Sequence, residues 1–197
     1  RSYLGNRYIA RSEALAHQLA SELFGAEFVD LRPLSGNIAG IAAAFGLARA
    51  GDTVLEVYNA HTYAKKLATA PLKVELKSIE IPWDGPTYSI DLDKTLALIE
   101  QHRPRIVSVG SGLFLFPSPV RELKEAMRQH HPDSNLIYDA AHALGLIAGG
   151  CFQNPLAEGA DVIVSSTHKT FAGPQGGLIL SNDRLVAELI GEALSTL

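Results

Sequence analysis

One lysine of the sequence follows an apolar segment in a loop that is rich in hydroxyl groups. Lys169 comes after the run Ser-Ser-Thr-His at 165–168 and ahead of the glycine-rich segment 173–177. Most lysines are solvated surface charges, but a lysine that is partly desolvated has a lowered pKa. Its free amine can then form a Schiff base with an aldehyde. The sequence therefore offers Lys169 as a candidate nucleophile.

A carboxylate occupies a similar place earlier in the chain. Asp139 directly follows an apolar segment, and the residues after it are mostly small or apolar. Because a buried carboxylate needs a cationic or hydrogen-bonding partner, we expect either a protonated ring nitrogen of a cofactor or a structural arginine or backbone amide. His142, three residues on, could contact the same ligand or serve as an ordinary satisfied histidine.

The tripeptide Ser35-Gly36-Asn37 precedes an alanine-rich segment with helical character. A hydroxyl and backbone N–H groups at the positive end of a helix dipole can hold a phosphate, and Gly36 would let the backbone approach it closely. Ser and Asn are also the preferred helix N-caps. Taken alone, the tripeptide favours the cap over the phosphate site.

Two further residues have the reach to contact an aromatic ligand. His61 lies in a loop after a predicted strand and could stack on a ring, and Ser111 lies between two glycines and could donate to a phenolic oxygen. Either could instead be an ordinary loop residue. Metal-ligand spacing of the His/Cys type is absent from the sequence, so we predict no metal site.

These candidates all follow predicted strands. The apolar pattern predicts strands at 28–34, 53–58, 74–81, 105–109, 135–138, 161–165 and 177–180 and helices at 8–24, 39–50, 91–102, 119–130 and 183–196, with a turn at 82–86. Alternating helices and strands predict an α/β fold, a mainly parallel sheet with helices on both faces. Ligands of such sheets bind beyond the carboxyl ends of the strands, so the candidate side chains would face one crevice.

Composition narrows the class of protein. The 197 residues are 47% hydrophobic and 19% charged, with a formal net charge of −4, which fits one globular domain and argues against a nucleic-acid partner. The single cysteine, Cys151, cannot form an internal disulfide. No uninterrupted apolar stretch approaches the roughly 18 residues that span a membrane. We expect a cytoplasmic protein without a membrane partner.

Two motifs in order resemble the serine hydroxymethyltransferase family. The first motif is Tyr-Asp-Ala-Ala-His-Ala-Leu-Gly at 138–145. The second is Ser-Ser-Thr-His-Lys-Thr at 165–170, and it is followed by Gly-Pro-Gln-Gly-Gly at 173–177. The resemblance extends from about Gly5 to the end of the chain. It implies the large domain of a fold-type-I enzyme, an α/β/α sandwich that uses pyridoxal 5′-phosphate.

The resemblance implies a role for each candidate around the cofactor ring. Lys169 would form the internal aldimine with the cofactor aldehyde, and Asp139 would keep the pyridine nitrogen protonated, so that the ring acts as an electron sink. His142 would lie by the ring, His61 would stack on its face, and Ser111 would approach the phenolic oxygen.

The remaining family positions surround the phosphate and the substrate. Ser35 and Gly36 match the phosphate-binding Ser-Gly, with Asn37 in place of a second serine. His168 matches the histidine before the Schiff-base lysine, and Ser166 matches a threonine near the substrate.

The resemblance also implies a reaction and an assembly. The expected activity is reversible one-carbon transfer between serine and glycine, with tetrahydrofolate as a co-substrate, in a homodimer. We expect residues 1–197 to form a single cofactor-binding domain, with the family's N-terminal segment and C-terminal small domain outside the chain.

Two departures from the family pattern keep other functions open. Gln175 replaces the usual arginine of the Gly-Pro-Arg-Gly-Gly turn, and the segment 59–62 is a reduced form of the Gly-Gly-His loop. One alternative is an aldolase or transaldolase that acts on other β-hydroxy amino acids. The other is a scaffold domain that has kept the fold and lost the reaction.

Overall fold

The computed structural model describes residues 6–57, 63–69, 72–110 and 115–197. The helices are α1 (Arg7–Phe24), α2 (Gly36–Leu47), α3 (Tyr63–Ala68), α4 (Leu92–His102), α5 (Val120–His130), α6 (Leu144–Ala148), α7 (Pro155–Glu158) and α8 (Arg184–Leu194). The strands are β1 (Phe28–Asp30), β2 (Thr53–Val57), β3 (Lys77–Ile81), β4 (Trp83–Asp84), β5 (Ser89–Ile90), β6 (Ile106–Gly110), β7 (Asn135–Asp139), β8 (Val162–Ser166) and β9 (Gly177–Ser181).

The main sheet has the order β1-β9-β8-β7-β6-β2-β3 within the described residues. The neighbours from β8 through β3 pair in parallel, whereas β9 runs antiparallel to both β8 and β1. The predicted mainly parallel sheet is confirmed. Because β6, β7 and β8 run in the same direction, their carboxyl ends lie along one edge, and β9 begins at that edge.

Helices cover both faces of the sheet, as the alternating pattern predicted. One apolar core joins α2, α3 and α8 to one face, and the other joins α1, α4 and α5 to the opposite face. In α2 the side chains of Ala39, Ala42 and Ala43 have no exposed surface. Such small side chains let this helix lie close to the strands that end at the candidate site.

Two predicted boundaries need correction near that site. Helix α2 runs from Gly36 to Leu47, whereas the predicted bounds are 39–50. Its start lies three residues earlier because Ser35 caps the helix, and its end also lies three residues earlier. Strand β1 stops at Asp30 instead of residue 34, since the Asp30 carboxylate accepts the backbone N–H of Arg32 and turns the chain. The other predicted elements agree with the structure to within three residues at each described end.

Four short features were not predicted, namely α3, α6, α7 and the hairpin of β4 and β5. The segment 82–86, predicted as a turn, contains β4, and the turn itself lies at 85–88. Each of these elements has six residues or fewer, too few for a periodic apolar pattern to be recognised.

Candidate functional site

The start of α2 is fixed by a side-chain cap. Ser35 has extended backbone (φ −160°, ψ 163°), and its Oγ accepts the backbone N–H of Ile38 at 3.2 Å. The N–H groups of Gly36 and Asn37 belong to the first helical turn and have no carbonyl of the same helix to bind. Ser35 is therefore an N-cap, and the backbone amides beside it point out of the helix start, where an anion is stabilised.

This helix start is packed onto the ends of β8 and β9. Gly36 lies against the backbone of Ser166, whose side chain is buried and donates a long hydrogen bond (3.5 Å) to the carbonyl of Ala141. A Cβ on Gly177 would lie 2.4 Å from the carbonyl oxygen of Ser35. The two glycines thus let the amides of α2 approach the carboxyl edge of the sheet closely.

Asp139 ends β7 at the same edge and is half-buried. Its two oxygens have different donors: Oδ1 accepts the backbone N–H of Ala141 at 3.0 Å, and Oδ2 accepts the hydroxyl of Tyr63 at 3.2 Å. On the neighbouring strand, Gly110 adopts φ +84°, and a Cβ there would lie 2.2 Å from the carbonyl oxygen of Asp139. Only glycine suits that position.

Lys169 and His142 meet in the loops beyond β7 and β8. The Lys169 Nζ lies 3.2 Å from His142 Nε2, and both side chains are exposed, as is His168. If the lysine donates this hydrogen bond, Nε2 must be the unprotonated ring nitrogen. The lysine amine is therefore accessible and has a proton acceptor within contact distance.

The loop after β8 is closed on itself by backbone hydrogen bonds. The N–H of Ala172 donates to the carbonyl of Lys169 at 3.0 Å, and the N–H of Gly173 donates to Thr167 at 2.7 Å. Thr167 Oγ1 also donates to the carbonyl of Pro174 at 2.6 Å. These bonds hold the backbone on both sides of Lys169.

A buried acidic group lies behind the site. Glu56 in β2 is 3% exposed and accepts hydrogen bonds from the backbone N–H of Tyr63 (2.7 Å) and from the hydroxyl of Ser78 (2.8 Å). Burial raises the pKa of Glu56 and lowers the pKa of Lys66. Burial first, and then the charge of Asp139, raise the pKa of Tyr63 well above its usual value, so the phenol stays protonated.

Most of the residues proposed from sequence lie along this edge of the sheet. Those that the structure describes there are Ser35, Gly36, Asn37, Asp139, His142, Ser166, His168 and Lys169. His61 and Ser111 lie outside the described residues. Sequence reasoning missed Tyr63 and Glu56; the available signal was the position of Tyr63, two residues beyond His61.

A separate cavity lies at the other end of the sheet. It has a volume of about 510 Å³ and is lined in part by His17 of α1, by Asp30 and Arg32, and by Glu188 of α8. Its described lining contains none of the residues proposed from sequence. The candidate residues at the carboxyl edge of the sheet therefore lie outside this cavity.

Neither a metal cluster nor a membrane span is found in the part of the chain that the structure describes. Within residues 6–57, 63–69, 72–110 and 115–197, no group of three or more His, Cys, Asp or Glu side chains is arranged to hold a metal ion. None of the described helices is both long and apolar enough to cross a membrane.

Known proteins resemble this chain in both sequence and structure. Residues 1–192 match the serine hydroxymethyltransferase family. Serine hydroxymethyltransferases from Thermococcus gammatolerans, Pyrobaculum calidifontis and Sulfolobus acidocaldarius are 44%, 42% and 40% identical to it, over 91%, 92% and 98% of this chain. A crystal structure of L-threonine transaldolase from Pseudomonas fluorescens in the internal aldimine state matches 98% of the chain, with a TM-score of 0.88 and 25% identity.

The matched region is a part of each of these proteins. It covers 42% of the first two curated relatives, 45% of the third and 44% of the transaldolase chain. The chain thus spans less than half the length of the proteins it matches. Because the family match nonetheless includes residues 1–192, with both motifs at the carboxyl edge of the sheet, the chain belongs to the serine hydroxymethyltransferase family.

Proposed function

We propose that residues 1–197 form a single large domain that binds pyridoxal 5′-phosphate in an enzyme of one-carbon metabolism. The reaction is the reversible transfer of a one-carbon unit between serine and glycine, with tetrahydrofolate as the co-substrate. The observation that carries the proposal is the contact between the exposed amine of Lys169 and His142, at the sheet edge that also bears Asp139 and the start of α2.

The donor set at this edge fits that cofactor group by group. The amides of Gly36 and Asn37 at a capped helix start suit a phosphate. The Asp139 carboxylate accepts hydrogen bonds from a backbone amide and a phenol, and the charge of Lys66 acts on it without a direct hydrogen bond or ion pair among the described contacts, so it can pair with a protonated ring nitrogen. The amine of Lys169 is the attachment point for the aldehyde.

Each of the remaining candidate residues has a task in this proposal. Asp139 keeps the ring nitrogen protonated, and His142 accepts a proton from the Lys169 amine. His168 directly precedes the lysine, and the buried Ser166 lies near the amino-acid substrate, as the family resemblance implies. His61 and Ser111 act as the family resemblance implies, stacking on the ring and approaching its phenolic oxygen. When bound, the cofactor supplies a sink for the negative charge that develops at the substrate α-carbon.

A titration of the chain with pyridoxal 5′-phosphate tests this proposal. We expect a visible absorbance band in the parent, the loss of that band in Lys169→Ala, and an unchanged band in the control Lys77→Ala, which alters an exposed lysine on β3. If parent and Lys169→Ala behave alike in cofactor and activity assays, the chain is a scaffold domain instead.

A second candidate is a transaldolase or aldolase that acts on other β-hydroxy amino acids. Gln175 supports it, because this exposed residue replaces an arginine of the family pattern, and a transaldolase structure aligns over nearly the whole chain. Aldehyde release from threonine without folate, measured against serine turnover with tetrahydrofolate, distinguishes the two reactions. Faster threonine cleavage would favour the second candidate.

The proposed setting is a cytoplasmic homodimer. Leu15, Leu19 and Leu23 recur at four-residue spacing on α1 and are 54%, 54% and 49% exposed, which suits burial against a second copy. Cys151 is an exposed free thiol, as is usual in a reducing compartment. Light scattering of the purified chain should give a molecular mass twice that of one chain. The Leu19→Glu variant should give the mass of a single chain.

A further inference from the structure

Tyr63 joins α3 to the carboxylate at the end of β7. It is the first residue of α3, it is 3% exposed, and its hydroxyl lies 3.2 Å from Asp139 Oδ2. The other carboxylate oxygen of Asp139 accepts the backbone N–H of Ala141. The two donors therefore hold the two oxygens separately and fix the plane of the carboxylate.

The tyrosine is itself held from two directions. Its backbone N–H donates to the buried Glu56 Oε2 at 2.7 Å, and the N–H of Ala64 donates to Oε1 at 3.4 Å. Gly40 of α2 makes room for the ring, since a Cβ there would lie 2.3 Å from Cε1 of Tyr63. These contacts hold the ring in place, with its hydroxyl within hydrogen-bond distance of Asp139.

We propose that Tyr63 is a positioning residue, which orients Asp139 toward the ring nitrogen of the cofactor through the hydrogen bond from its phenol to Oδ2. This inference rests on the proposed function, because it assigns the same carboxylate to the cofactor. Oδ2 has a second lone pair, so it can accept from Tyr63 and from the ring nitrogen together.

The charged surroundings of the pair support a donating phenol. Glu56 faces the backbone of Tyr63, and the Nζ of Lys66 lies 5.4 Å from the centroid of its ring. Burial and the nearby carboxylates raise the pKa of Tyr63, so its proton remains available to Asp139 at neutral pH.

The first test follows Asp139 before any cofactor is added. In Tyr63→Phe the carboxylate loses a donor, so the NMR chemical shift of the Asp139 carboxyl carbon, measured in a labelled chain at neutral pH, should change. Tyr138→Phe is the matched control: it removes a buried hydroxyl that bonds to Gln153 at 2.9 Å, on the residue next to Asp139. A chemical shift that is unchanged in Tyr63→Phe would overturn the proposal.

The second test measures the dissociation constant of pyridoxal 5′-phosphate by absorbance. We expect it to rise about tenfold or more in Tyr63→Phe, the effect of losing a hydrogen bond to a charged group, and to stay at the parent value in Tyr138→Phe. An equal constant in parent and Tyr63→Phe overturns the positioning role. A parent that gains no band contradicts the proposed function instead, and the chemical shift of the Asp139 carboxyl carbon then decides the role of Tyr63.

A third variant disturbs the same bond without replacing either partner. Gly40→Ala would push the Tyr63 ring away from α2, so it should change the chemical shift of the Asp139 carboxyl carbon and weaken cofactor binding, as Tyr63→Phe does. Circular dichroism and a thermal melt check that each variant folds. If Tyr63→Phe does not fold, Gly40→Ala decides, and parent values for both quantities overturn the proposal.

Discussion

A Cβ atom on Gly36 would lie 2.7 Å from the backbone nitrogen of Ser166. Real Cβ atoms essentially never approach a heavy atom so closely, and the atom they would meet here belongs to the backbone of β8, which cannot rotate away. The first turn of α2 and the carboxyl end of β8 are thus in contact only because residue 36 has no side chain. This contact fixes the distance between the helix amides and the loop that bears Lys169.

Gly36→Ala should therefore weaken cofactor binding by displacing the start of α2. Overpacking of this kind costs about 1–3 kcal/mol, and each 1.4 kcal/mol lost from binding is about a tenfold change in the dissociation constant. If that cost falls on binding, the dissociation constant measured in a titration with pyridoxal 5′-phosphate should rise about fivefold or more. Gly85→Ala is the matched control, because a Cβ at Gly85 would meet open space. Equal loss of affinity in both variants would contradict the role of this contact.

His142→Asn should slow the attachment of the cofactor to Lys169. Nε2 lies 3.2 Å from the lysine Nζ and can accept a proton from it, whereas an amide cannot. Since general-base assistance contributes about a hundredfold or more, the visible band should form about a hundredfold more slowly in stopped-flow mixing. His102→Asn changes an exposed histidine in the last turn of α4 and should leave the rate unchanged. A parent-like rate in His142→Asn would exclude the proton transfer.

The sequence was informative wherever the signal is local. A strand that is buried on both faces of a parallel sheet is a continuous apolar segment in the sequence. The apolar runs before Asp139 and Lys169 therefore indicate two such strands and place Asp139 at the end of one and Lys169 beyond the end of the other. Helix α2 begins three residues before the predicted start at residue 39. The alanine-rich composition indicates the body of the helix, whereas the side chain of Ser35 sets its first turn.

What the sequence could not supply is the set of long-range contacts. Tyr63 and Asp139 are 76 positions apart, and no propensity or spacing rule connects a phenol to a carboxylate at that separation. The apolar run of strand β9 resembles those of its parallel neighbours, and such a run does not indicate the direction in which a strand pairs. Its antiparallel pairing became visible only in the register with β8.

Glu56→Gln should flatten the pH dependence of stability. Burial raises the pKa of Glu56 in the folded chain. The folded state therefore holds a proton over a pH range in which the unfolded chain has released it, and the free energy of unfolding falls as pH rises from the ordinary pKa of a glutamate through the raised value. Urea unfolding across that range should show this decline in the parent and a smaller one in Glu56→Gln. Identical slopes would mean that Glu56 ionises normally in the fold.

Lys124→Met should destabilise the chain without touching the site. The Nζ of Lys124 lies 2.6 Å from Asp161 Oδ2, and the two side chains are 9% and 17% exposed. Removing the lysine leaves a poorly solvated carboxylate with only the backbone N–H of Leu136 as its described partner, a loss of about 3–5 kcal/mol. The control is Arg184→Met, which breaks the exposed pair with Glu188 and should cost less than about 1 kcal/mol. Urea unfolding measures both losses; equal losses would show that solvent reaches Asp161 as freely as it reaches Glu188.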